Sequence, residues 1–177
     1  MAEPKQPADV GGVFVMTRVF NAPRALIWKA WSEAEQMQAW WGPKGATITV
    51  AAFEFRPGGF FHYGMRYSNG PQMWGRFMYR DIAAPGRIAW LNSFSNEGCG
   101  ITRAPFDKPI PLEIHNEVTF NEHVGNEQAG QTSVTLRARP HGATVEERKV
   151  FEEMTSSFEQ GYGGTLDQLS AHLATMR

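Results

Sequence analysis

The chain has 177 residues, 42% of them hydrophobic, with 17 Lys and Arg against 18 Asp and Glu for a formal charge of -1, which fits one domain with a sizeable core. Its basic residues are scattered rather than clustered along the sequence, so the electrostatic footprint of a nucleic-acid binder is missing. Cys99 is the only cysteine, which excludes an internal disulfide and suits a reducing, cytoplasmic compartment, and no stretch approaches the roughly 18 apolar residues of a membrane span.

The opening MAEPKQPADVGG carries prolines and charges but no apolar h-region, and residues 1–12 are expected to form a flexible tail ahead of a single domain at 13–177. VFVMTRVF, residues 13–20, reads as a strand, and Asn21-Ala22-Pro23 turns it into a helix. In the following stretch Leu26, Ile27, Ala30 and Trp31 recur at three- and four-residue spacing and form one apolar stripe. Ser32 and Glu35 have capping-box spacing, which predicts a second short helix carrying Met37, Trp40 and Trp41 and stopped by Gly42-Pro43.

From residue 46 the period changes to two. ATITVAAFEF, GFFHYGMRY, MWGRFMYRDI and RIAWLNSF are separated by the turn sequences RPGG, SNGP and AAPG, which predicts an antiparallel meander. Residues 96–111 have three prolines, two glycines and no period, a length at which loops are often lids. Two further strands, LEIHNEVTFNE and TSVTLRARP, precede a helix predicted to run unbroken from Val145 to Met176, opened by a Thr144–Glu147 capping box. Gly161, Gly163 and Gly164 fall inside it, each costing about 1 kcal/mol relative to alanine, so the spacing predicts either a bend or a need for room there.

Three segments, RVFNAPRALIWKAWSEAEQMQAWWGPKG, EFRPGGFF and GYGGTLDQLSAHLA, resemble the family named for the activator of the ninety-kilodalton heat-shock chaperone ATPase. That family belongs to the START-like or SRPBCC superfamily, and the likeness runs in order over residues 13–173. The resemblance implies an α+β helix-grip fold. Its parts are a curved seven-stranded antiparallel sheet, two short helices after strand 1, and a long C-terminal helix packed across the sheet over a cavity. Residues 96–111 are longer than the family pattern and would fall at the rim of that cavity.

Strand parity assigns faces. Phe61, Tyr63, Met65 and Tyr67 point inward, as do Phe77, Tyr79 and Asp81 on the next strand, while Arg76, His115 and Glu117 point out as a solvated ladder. Ile88, Trp90, Asn92 and Phe94 share one inner face, and Leu112, Ile114, Asn116, Val118 and Phe120 another. Asn92 and Asn116 are polar on apolar faces, so each meets the other and backbone, or a ligand. The ligand-binding candidates are Trp40, Trp41, Tyr63, Met65, Phe77, Trp90, Asn92, Phe94, Asn116, Met154, Phe158 and Tyr162, a set equally compatible with a solid core.

The five histidines show no metal-ligand spacing, and no nucleophile elbow or phosphate loop occurs, so neither a metal, a cofactor nor a catalytic residue is expected. The expected function is the binding of a hydrophobic or aromatic small molecule, or a lipid-like one, by a monomer or homodimer. Regulation of a chaperone ATPase by protein contact, and polyketide cyclase-like or hydrolase-like chemistry in the same cavity, stand as alternatives.

Overall fold

In the computed structural model, which describes residues 12–176, the chain forms β1 (Phe14–Phe20), α1 (Arg24–Ser32), α2 (Ala34–Trp40) and then β2 (Thr47–Phe53). A meander follows through β3 (Phe60–Arg66), β4 (Gln72–Ala83), β5 (Arg87–Ser95), β6 (Glu113–Glu122) and β7 (Thr132–His141), and α3 (Val145–Glu153) and α4 (Thr155–Thr175) close the chain. The expected N-terminal tail, apart from Gly12, lies outside the described residues.

All seven strands pair antiparallel in the order β1-β7-β6-β5-β4-β3-β2, so the first strand docks on the last and α4 crosses the inner face. Period-two patterning is what selects that face. Phe61, Tyr63, Phe77, Tyr79, Ile88, Trp90, Val118 and Phe120 are all buried on it. Trp31 and Trp40 from α1 and α2 pack edge-to-face at 4.8 Å, and Phe77 stacks on Trp90 at 4.6 Å.

Parity fails at three places. A bulge between Tyr79 and Asp81 inserts Arg80 into β4, which turns Asp81 onto the outer face, where it pairs with Arg87. Tyr67 lies past the end of β3 and Leu112 before the start of β6, and both are exposed.

The predicted capping boxes divide. Ser32 is the last residue of α1, and the cap of α2 is the extended Glu33, with no side-chain hydrogen bond, so the Ser32–Glu35 box does not form. A residue still in helical conformation cannot serve as the extended N-cap. At α3 both bonds of the box are made, Glu147 N–H donating to Thr144 Oγ1 and Thr144 N–H to Glu147 Oε2, each 3.1 Å.

The C-terminal helix also breaks, at Met154 (φ -91°, ψ 9°) and not at the glycines. There the Thr155 hydroxyl donates to Glu152 O at 3.1 Å, competing for a helix carbonyl, and Phe151 packs on Phe158 at 4.8 Å across the junction.

Residues 96–111 do not roof the space between β3 and α4, and meet the inner face only where Phe106 packs on Phe94 at 5.9 Å. Their first part folds over the outer face, where Asn96 O meets His62 Nε2 at 3.1 Å and Cys99 O accepts from Arg76 Nη1 at 2.8 Å. His62, stacked on Trp74, is thereby only 4% exposed although it points outward. Further along, Arg103 Nη1 donates to Glu147 Oε1 at 2.7 Å and ties the loop to α3.

Arg103 holds the Glu147 carboxyl below the usual carboxylate range; burial opposes this and the Thr144 N–H reinforces it. A depressed carboxylate contributes stability above its unfolded value, near 4.3, and loses it as pH falls through the folded value. Solvent screens the exposed Arg103, so Glu147→Gln is expected to cost about 1 kcal/mol at pH 7 and nothing once both forms are neutral. Urea midpoints at falling pH from 7 measure it; a deficit that does not shrink as the Glu147 carboxyl is protonated would show that the charge is not involved.

Candidate functional site

A pocket of about 210 Å³ lies between the sheet and α4. Its walls are the Trp41-Gly42-Pro43 turn, Tyr63 and Met65 of β3, Asn92 of β5, and Ser157, Phe158, Gly161, Tyr162 and Thr165 of α4.

The turn is built by α4 from a distance. Trp41 N–H closes α2 on Met37 O at 2.9 Å, and Gly42 then takes φ +97°, where a Cβ would stand 2.6 Å from Ile48 Cδ1. Both facts demand glycine. Gly42 O accepts from Thr165 Oγ1 (2.9 Å) and Gln168 Nε2 (2.8 Å), and the same amide reaches Trp40 O at 3.0 Å. Sequence reasoning missed Thr165 and Gln168. Their signal is a polar pair, three residues apart, on the face that also carries Leu166 and Leu169.

The two adjacent tryptophans take different roles. Trp40 is sealed in the core, its Nε1–H donating to Ala30 O at 2.9 Å. Trp41 presents its indole to the pocket while its other edge packs on Phe77 at 4.9 Å. Its Nε1–H makes no hydrogen bond of good geometry, although the indole lies near enough to the Tyr63 hydroxyl to favour that group's ionised form slightly.

Tyr63 fits because Gly75 faces it across β3 and β4; a Cβ there would be 2.6 Å from the phenol oxygen. Burial pushes the Tyr63 hydroxyl up to about 12. Tyr162 is pushed up as well, chiefly by burial, and donates to Asn116 Oδ1 at 2.8 Å. Asn116 Nδ2 in turn donates to Ile114 O at 3.2 Å, which satisfies that amide within the protein. Asn92 is different: the residue borders the pocket, and its Oδ1 is buried with no hydrogen-bond partner among the described residues.

Of the sequence candidates, Trp41, Tyr63, Met65, Asn92, Phe158 and Tyr162 therefore meet around one space. Phe77 and Trp90 lie fully buried behind it, Phe94 sits beneath Phe106 of the 96–111 loop, and Met154 occupies the α3–α4 junction. No residue of 96–111 lines the pocket, since the loop crosses the outer face and the sheet end. Of the helix glycines only Gly161 borders the pocket, and a Cβ there would meet nothing within 4 Å. Side chains at 163 and 164 would make ordinary contacts with Arg18 and Lys44, so neither position needs room.

A seven-stranded antiparallel sheet gripping a long C-terminal helix is the helix-grip architecture, a ligand-binding fold. The profile described as "Activator of Hsp90 ATPase homolog 1-like protein" matches residues 21–174, and the chain belongs to that family. Solved structures with the same fold include a protein of Arthrobacter aurescens (23% identity, TM-score 0.72), the alignment covering 92% of this chain and 86% of that one. A protein of Nitrosomonas europaea matches at 22% identity and TM-score 0.71, over 97% and 100% of the two chains. The AHSA1 protein of Silicibacter pomeroyi matches at 15% identity and TM-score 0.69, over 94% and 100%. None of the curated proteins compared with the chain matches it. No helix among the described residues is long and apolar enough to cross a membrane.

Proposed function

We propose that the chain binds a small, neutral, flat molecule in the pocket between β3, β5 and α4. The observation that carries this reading is a pocket whose wall includes Asn92 and Trp41, each with a buried polar atom, Oδ1 and Nε1, that has no hydrogen bond of good geometry. A buried acceptor without a partner costs about 1–3 kcal/mol, which a ligand that pairs with the Asn92 amide recovers. Met65, Phe158 and the Trp41 ring supply apolar walls for its body.

Size limits the ligand. A cavity of roughly 150 Å³ holds benzene, so about 210 Å³ suits one or two rings rather than a lipid chain. Charge limits it too, because Tyr63 and Tyr162 keep their protons at neutral pH and present no charge to the pocket. The unpaired polar groups favour ligand binding over the chaperone-ATPase regulation that the family description suggests. Protonated tyrosines likewise favour binding over cyclase or hydrolase chemistry, which needs a group that exchanges protons near neutrality.

Native mass spectrometry of the chain, followed by NMR screening with one- and two-ring amides and phenols, tests the proposal. Gly161→Leu serves as the blocking variant, because its side chain enters open space while leucine improves on glycine in a helix by about 0.8–1 kcal/mol. Binding is expected to shift the Trp41 and Asn92 side-chain resonances in the native chain and to fall at least tenfold in the variant. Equal binding by both, or none by the native chain, would refute it.

A further inference from the structure

The outer face of the sheet, opposite the pocket beneath α4, gathers charged residues from β5, β6 and β7. Arg137 and Arg139 are two apart on β7 and so share a face, about 7 Å apart along the strand. Cross-strand register sets Arg139 opposite His115 and Arg137 opposite Glu117 on β6. These residues, with Arg87 and Val13, line a second depression of about 210 Å³.

Arg87 is already neutralised, by Glu117 at 2.6 Å and by Asp81. Among the described residues Arg137 and Arg139 make no ion pair. Two guanidinium groups that share a face can converge on the oxygens of one anion, each through paired N–H donors. Val13, 49% exposed, offers an apolar rim for the body that carries the anion.

We propose that this depression binds a tetrahedral oxyanion, held by Arg137 and Arg139 over the His115 imidazole. The imidazole reports the local field. Burial first, then Arg139, with His141 and Arg80 adding and Glu117 opposing, holds His115 down at about 4. A bound anion cancels the arginine contribution and so favours the imidazolium.

Histidine NMR on the full chain tests this, with sulfate, a dianion throughout the range, titrated against chloride at constant ionic strength. The His115 midpoint is expected to rise from about 4 to about 5, saturating with sulfate; one unit corresponds to tenfold tighter binding to the protonated form. In Arg137→Gln/Arg139→Gln, both sites being exposed, the sulfate response is expected to vanish. An identical midpoint in sulfate and chloride, or a drift that never saturates, would overturn the site. At pH 7, backbone shifts of β6 and β7 with inorganic phosphate and with glycerol 3-phosphate supply an arm independent of acid stability. Tighter binding of the ester identifies a phosphorylated small molecule, equal binding identifies the free oxyanion, and no shift with either again overturns the proposal.

Discussion

Trp40→Ala is expected to lose about 3–5 kcal/mol of folding stability, the range for truncating a fully buried large aromatic. Trp40 is 1% exposed, packs on Trp31 and Trp41, and satisfies Ala30 O through its indole N–H, so truncation leaves both a cavity and an unpaired carbonyl. In a domain of this length 1 kcal/mol moves the melting temperature by about 2–4 °C, so a drop on the order of 10 °C is expected. Trp41→Ala should cost less, about 2 kcal/mol, because one face of that indole already borders the pocket and its N–H makes no hydrogen bond of good geometry. Ligand binding should show the reverse order, falling at least tenfold in Trp41→Ala and holding in folded Trp40→Ala. Urea unfolding and NMR titration of both variants decide the matter; a larger stability loss at Trp41 would mean that the pocket wall is core.

The same substitution at the two inner-face asparagines is expected to have opposite signs. Asn92→Leu removes a buried acceptor that has no partner and should stabilise the unliganded chain by about 1 kcal/mol. Asn116→Leu strands the Tyr162 hydroxyl and Ile114 O together and should cost about 1–3 kcal/mol. A residue whose removal raises stability while abolishing binding is held for the ligand. If Asn92→Leu destabilises the chain by as much as Asn116→Leu, the amide is structural and the pocket reading loses its main support.

Hydrophobic period was enough to place the strands, because alternation on a pleated chain is a local property that burial of one face enforces. The Thr144–Glu147 box was equally legible, since its partners are three residues apart. The similar Ser32–Glu35 spacing misled because α1 extends through Ser32, and helix length depends on packing against the sheet. Likewise nothing in MYRDI marks Arg80 as the bulge that turns Asp81 outward.

By itself, then, the sequence determined the order of the strands along the chain, the apolar face and a turn at Trp41-Gly42-Pro43 with glycine in it. Only the tertiary structure decided which tryptophan faces the pocket and which asparagine goes unpaired. Those outcomes rest on contacts between distant segments: Tyr162 with Asn116, and Thr165 and Gln168 with the Gly42 carbonyl. Charge followed the same rule. Arg137 and Arg139 share a face by strand alternation alone, but only antiparallel register brings Arg87, His115 and Glu117 of β5 and β6 beside them, a proximity that sequence separation does not encode.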